Sequence, residues 1–95
     1  MDRFQAMQMF MRVAEAGSFV RAAETLSLPA STVTSTIKNL EKYLKVRLLN
    51  RTTRRVSLTP EGMQYLAQCR EILALIEHSE STLSESVARP QGRLR

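Results

Sequence analysis

The chain has 95 residues, a formal net charge of +5, a hydrophobic fraction of 43%, one cysteine and one histidine. That length holds one small domain with a modest core and not two, and the apolar content argues against disorder. A single Cys69 rules out an intrachain disulfide and a cysteine-based metal cage, a lone His78 on a Glu-rich stretch reads as solvent-facing, and no apolar run nears the roughly 20 residues that span a bilayer. The expectation is a cytoplasmic, non-enzymatic protein with no catalytic site, no metal, no cofactor and no membrane contact.

From Phe4 to Ala16, the residues Phe4, Met7, Phe10, Met11 and Ala14 recur at helical steps and predict a first helix with one apolar stripe. Gly17 ends it, and Ser18 stands where the N-cap of a second helix belongs. That helix, Phe19 to Leu26, buries Phe19, Ala22, Ala23 and Leu26, and its paired alanines let another helix approach closely. Ser27-Leu28-Pro29 is a turn. A third helix is predicted from about Pro29 to Lys45, with Val33, Ile37, Leu40 and Leu44 on its buried face. At about 100° per residue, Ser31, Ser35, Lys38, Asn39 and Lys42 fall on the opposite face, flanked by Thr32 and Thr34. A Ser/Thr-rich helix has poor intrinsic propensity, so something other than helix stability set this composition.

Residues 46–58 centre on Asn50 to Arg54 and end in alternation, which predicts a two-stranded hairpin with a cationic tip. Within residues 38–55, seven Lys or Arg stand against Glu41 alone, a local charge of +6. Thr59-Pro60-Glu61 then restarts a helix, with a Thr cap, Pro at the first helical position and an acid in the first turn. The last helix runs from Pro60 to about Val87. Leu66, Cys69, Leu73, Ile76, Glu80, Leu83 and Val87 follow alternating three- and four-residue steps along it, a heptad seam with Glu80 as its polar intruder. A second set, Met63, Ile72 and Leu75, is available for the domain's own core. Residues 71–88 hold four Glu and no Lys or Arg. So marked a split of charge suggests that a polyanion docks at one end only.

Two short helices around a tight turn, followed by a basic β-ribbon, form an arrangement that holds duplex DNA: the second of the two helices enters the major groove while the ribbon reaches the backbone or minor groove. On that reading Ser31, Thr34 and Ser35 are base-edge candidates, with Thr32 on their flank and Ala30 able to pack on a thymine methyl. Lys38 and Lys42 are phosphate candidates. Ser18 offers a phosphate its hydroxyl and the amides of the helix it starts. Arg51, Arg54 and Arg55 are wing candidates, one of which is expected in the minor groove. Arg47 ranks below them, as the alternative partner for Glu41. The rival reading, a protein-docking module, leaves the cationic wing without a task.

These residues also resemble the DNA-binding half of LysR-type transcriptional regulators. The resemblance rests on Gly17-Ser18-Phe19 with Ala22-Ala23, on Val33, Ile37 and Leu40-Glu41, on Val46-Arg47-Leu48-Leu49 and Arg51, and on Leu58-Thr59 with Gly62. It implies a mainly α winged helix-turn-helix over residues 1–58, a dimerising linker helix over 59–88, and a hinge at 89–95 leading into an effector-binding domain outside this chain. It further implies a homodimer on a pseudo-palindromic operator, a higher oligomer in the full regulator of about 300 residues, and a small-molecule inducer bound by the absent domain. Lys45 stands where the family usually has Gly, which implies that the third helix is capped in some other way.

Overall fold

The structure, a computed structural model, describes residues 2–51 and 55–88, with side chains through residue 85. In chain order the elements are α1 (Arg3–Ala16), α2 (Phe19–Leu26), α3 (Ala30–Leu44), β1 (Leu49–Arg51), β2 (Val56–Leu58) and α4 (Pro60–Ala88). The strands are antiparallel, with Leu49 opposite Leu58, Asn50 opposite Ser57 and Arg51 opposite Val56. The fold is the expected winged helix-turn-helix with a long C-terminal helix.

Helix α1 is the hub, in contact with α2, α3, β2 and α4. Asp2 Oδ1 accepts from the Gln5 amide at its start, and Gly17 ends it in the left-handed region at φ 68°. Because α1 is covered on several sides, one stripe does not suffice: Ala6, Met9 and Val13 join Met7 and Phe10 in the core, while Phe4 at the rim stays exposed. Phe10 and Val13 meet Val33, Ile37, Leu40, Leu48 and Leu49 in the same cluster. Full burial of an aliphatic or Phe side chain contributes roughly 1.5–3 kcal/mol, so this cluster is what holds α2 and α3 in place.

Helix α2 begins on Ser18, whose Oγ accepts from the Arg21 amide at 3.2 Å. It ends with Ser27 in the left-handed region, Ser27 N–H donating to Glu24 O and Leu28 N–H to Ala23 O. This paired ending satisfies two terminal carbonyls and aims the chain into α3. Ala22 and Ala23 are buried where α1 and α3 approach. Helix α3 starts on Pro29 with no side-chain cap; Pro29 O accepts from the Thr32 and Val33 amides. At its far end Lys45 itself adopts φ 62°. The implied alternative cap is therefore not used: Lys45 takes the geometry that glycine reaches without steric cost.

The junction of hairpin and α4 is tightly bonded. Thr59 Oγ1 donates to Arg47 O at 2.6 Å and accepts from the Gly62 amide at 2.9 Å, while Thr59 N–H donates to Leu48 O. A Cβ at Gly62 would collide with that same Leu48 carbonyl oxygen, which explains a glycine in the first turn of a helix. From this junction α4 runs 29 residues and projects from the globule. The extents are 57 × 26 × 22 Å with a radius of gyration of 16.6 Å, against about 12 Å for a compact chain of this length.

Candidate nucleic-acid interface

The three residues Val33, Ile37 and Leu40 are fully buried and fix the rotation of α3 about its own axis. Ser31, Thr32, Ser35, Lys38, Asn39 and Lys42 are consequently exposed on its outer side, with Ala30 and Thr34 half-buried at the flank. The face is narrow and hydroxyl-rich near its N-terminus and cationic towards its C-terminus, as the sequence predicts. Thr36 is not part of it, because its hydroxyl donates to Thr32 O at 2.8 Å. Ser18 Oγ accepts from the helix it caps and keeps its O–H for an outside acceptor.

The wing is organised by an acid. Glu41 Oε2 accepts from the Leu48 and Leu49 amides at 2.8 and 3.1 Å, and Glu41 Oε1 pairs with Arg51 Nη2 at 3.4 Å. The Arg51 guanidinium lies over the Phe19 ring, 5.0 Å from its centroid. Its Nε is buried and has no hydrogen-bond partner among the described residues. One expectation is corrected: Glu41 pairs with Arg51 and not with Arg47. Arg51 is turned inward to Glu41 and Phe19. Arg47, the expected alternative partner of Glu41, instead reaches Leu49 O at 3.5 Å. Arg55 is exposed, and Arg54 lies outside the described residues. The role of Glu41 had one signal in the sequence: it is the single acid in a run of seven cations.

The predicted seam of α4 divides. Leu66 and Cys69 are buried in the domain's own core, because the first turns of α4 lie on α1 and β2. Tyr65 packs against Phe10, with ring centroids 5.6 Å apart and the planes tilted by 44°. These two seam positions are therefore spent inside one chain, a correction to the heptad reading. Leu73 and Ile76 are half-buried and, with Phe4, Met11 and Leu26, line an open groove of about 540 Å³ between α1 and α4; Glu80 sits on its edge. Leu83 is 67% exposed, and Val87 lies outside the described side chains. Met63, Ile72 and Leu75 face solvent, not the core to which they were available. Arg70 and Glu15, 3.9 Å apart, bridge α4 to α1 beside the groove. Burial and the adjoining Cys69 push Tyr65 up to about 12, and burial likewise raises Cys69.

Among the described residues, no group of three or more His, Cys, Asp or Glu could hold a metal ion, and no helix is long and apolar enough to cross a membrane.

A helix presented by a buried triad, with a hairpin bonded to its end and a long helix leaving the hairpin, defines a winged helix-turn-helix. Residues 4–63 match the family described as bacterial regulatory helix-turn-helix protein, lysR family, and the chain belongs to it. It is 50% identical over 95 residues to a transcriptional repressor of Pseudomonas aeruginosa, covering all of this chain and 30% of that protein. It is 44% identical over 91 residues to the transcriptional regulator CrgA of Neisseria meningitidis, covering 96% of this chain and 30% of that protein. The chain thus spans about a third of the length of the curated relatives it matches. Among solved structures, it superposes on the CbnR DNA-binding domain in complex with DNA with a TM-score of 0.83 at 36% identity, covering 90% of this chain and 98% of that one. The BenM DNA-binding domain on its catB site 1 DNA gives a TM-score of 0.85 at 28% identity, covering 88% and 93%.

Proposed function

We propose that this chain is the DNA-binding part of a longer transcriptional regulator, which binds a pseudo-palindromic duplex site as a homodimer. Residues 1–58 form the DNA-binding unit, 59–88 the dimerising helix, and 89–95 the hinge into a further domain that takes a small-molecule inducer. The observation that carries the reading is the face of α3: a buried Val33-Ile37-Leu40 triad holds Ser31, Ser35, Lys38 and Lys42 outward, beside a hairpin hydrogen-bonded to the same helix. Helix α3 enters the major groove, where Ser31, Thr34 and Ser35 meet base edges with Ala30 and Thr32 at their flank, and Lys38 and Lys42 neutralise phosphates. Ser18 meets the backbone from the start of α2, and Arg54 and Arg55 reach the flanking backbone or minor groove.

The dimer forms through the part of α4 not used by the core. A partner helix lies in the groove of Leu73 and Ile76 between α1 and α4 and continues along Leu83. A two-fold dimer presents the same surface to each half-site, which is why the site is pseudo-palindromic.

Selection from a pool of random duplexes, followed by titration across salt concentrations, tests the proposal. The enriched sequences should show two inverted half-sites, and the affinity should fall steeply with salt as counterions are released. Binding that is insensitive to salt, or a pool without enrichment, would count against it.

A further inference from the structure

Two parts that face DNA in the reading above, α3 and the wing, meet at one carboxylate, and the start of α2 joins them through Arg51. Glu41 lies on α3 between the exposed Lys38 and Lys42, its own side chain only 11% exposed. Its Oε2 holds the amides of Leu48 and Leu49 at the entry to β1, and its Oε1 holds Arg51 at the end of β1. Arg51 in turn lies across Phe19, the residue that follows Ser18 at the start of α2.

We propose that Glu41 and Arg51 are positioning residues that set the wing against the recognition helix, and so govern which DNA sequence is preferred, without touching DNA themselves. The proposal rests on the DNA-binding reading and adds to it a pair that acts through other residues. A carboxylate is a stronger acceptor than a neutral oxygen, and Glu41 accepts from the Leu48 and Leu49 amides and from the Arg51 guanidinium. With Leu48 and Leu49 buried on one side and their amides held on the other, the chain entering β1 has little freedom to shift along α3. Arg51 has one edge on the carboxylate and one face on an aromatic ring, so a phosphate would have to compete with both. Lys38 and Lys42 carry long flexible stems and can follow a phosphate when the frame loosens. Short side chains such as Ser31 and Ser35 cannot, because base-edge contacts depend on placement. Release of the clamp therefore erodes sequence preference before it erodes affinity for DNA in general.

The experiment uses two duplexes, the sequence selected by the wild-type chain and a random-sequence control, each titrated over a series of salt concentrations. Arg51→Ala should leave the salt slope on the control duplex at its wild-type value, whereas Lys38→Ala should flatten that slope by about one unit. Arg51→Ala should also lower the preference for the selected duplex about tenfold, the discrimination carried by one misplaced base contact. Glu41→Gln keeps an oxygen for the two amides but loses the ion pair. It should fold and show the same loss of preference, and the double variant should lose no more than either single one. If Arg51→Ala flattens the salt slope as Lys38→Ala does, Arg51 is a phosphate contact and the proposal fails. It fails equally if both variants bind both duplexes as the wild type does. Absence of salt-dependent binding by the wild-type chain would instead bring down the DNA-binding reading, and the clamp with it.

Discussion

Leu66 and Leu73 sit seven residues apart on one helix, yet the structure gives them different work, and paired substitutions separate the two. Leu66 is 7% exposed and packed with Cys69 in the core of its own chain. Leu66→Ala leaves a cavity near the rim of that core, and a loss of about 2–3 kcal/mol lowers Tm by roughly 10–20 °C. Leu73 is half-buried beside an open groove, so Leu73→Asp removes about 1 kcal/mol or less from the isolated chain. In the proposed dimer it places one uncompensated carboxylate from each copy in the interface, at about 3–5 kcal/mol each. The dimer should then dissociate, and affinity for the full site should fall far more than for a half-site. Sedimentation velocity and thermal melts, run over a wide range of protein concentration, read both effects. The Tm of a dimer rises with concentration and that of a monomer does not. Leu73→Asp should abolish the concentration dependence, while Leu66→Ala should lower Tm at every concentration and keep the dependence. A Leu73→Asp chain that still sediments as a dimer would refute the assignment of this groove.

Three further outcomes are expected. Lys45→Gly relieves a left-handed residue at φ 62° and should stabilise the fold by about 1 kcal/mol, raising Tm by roughly 4–8 °C; a lower Tm would show that Lys45 has another role. Substitution of Thr34 or Ser35 should alter which sequences are enriched from a random pool more than it alters affinity for random DNA, and an unchanged enriched sequence would move the base readers elsewhere. Tyr65 is raised from 10.0 to about 12 on folding, so the unfolded chain ionises first: this contribution is whole below pH 10 and is lost as pH rises from 10 towards 12. Urea midpoints measured across that range should fall, more shallowly for Tyr65→Phe, and an identical slope in both chains would remove Tyr65 as the cause.

The elements were legible because their signals are local. Gly17-Ser18 marks an end and a cap, Val33, Ile37 and Leu40 mark one face, and Thr59-Pro60 marks a restart; each lies at the predicted position. What was not legible depends on distant contacts. The steps from Leu66 to Leu83 cannot reveal that α1 and β2 cover only the first turns of α4, so a helix that changes partner along its length reads as a single seam. Arg51 counted as a wing cation because its charge is visible in sequence, while its partner ten residues upstream becomes visible only once β1 has folded against α3. Lys45 carries no mark of the left-handed conformation it adopts, since nothing in a lysine side chain favours it.

The bonded junction at Thr59 and Gly62 also bears on how DNA is measured. With Thr59 tied to both Arg47 and Leu48, and Gly62 packed against the Leu48 carbonyl, α4 leaves the wing in one direction and carries that direction outward. In the proposed dimer, the separation of the two reading helices then follows from where two such rods cross. One residue inserted into α4 between Leu66 and Leu73 would advance the partner by about 1.5 Å and turn it by about 100°. A change so small, made far from any base, would oblige the protein to seek half-sites at a different spacing or to lose one of them.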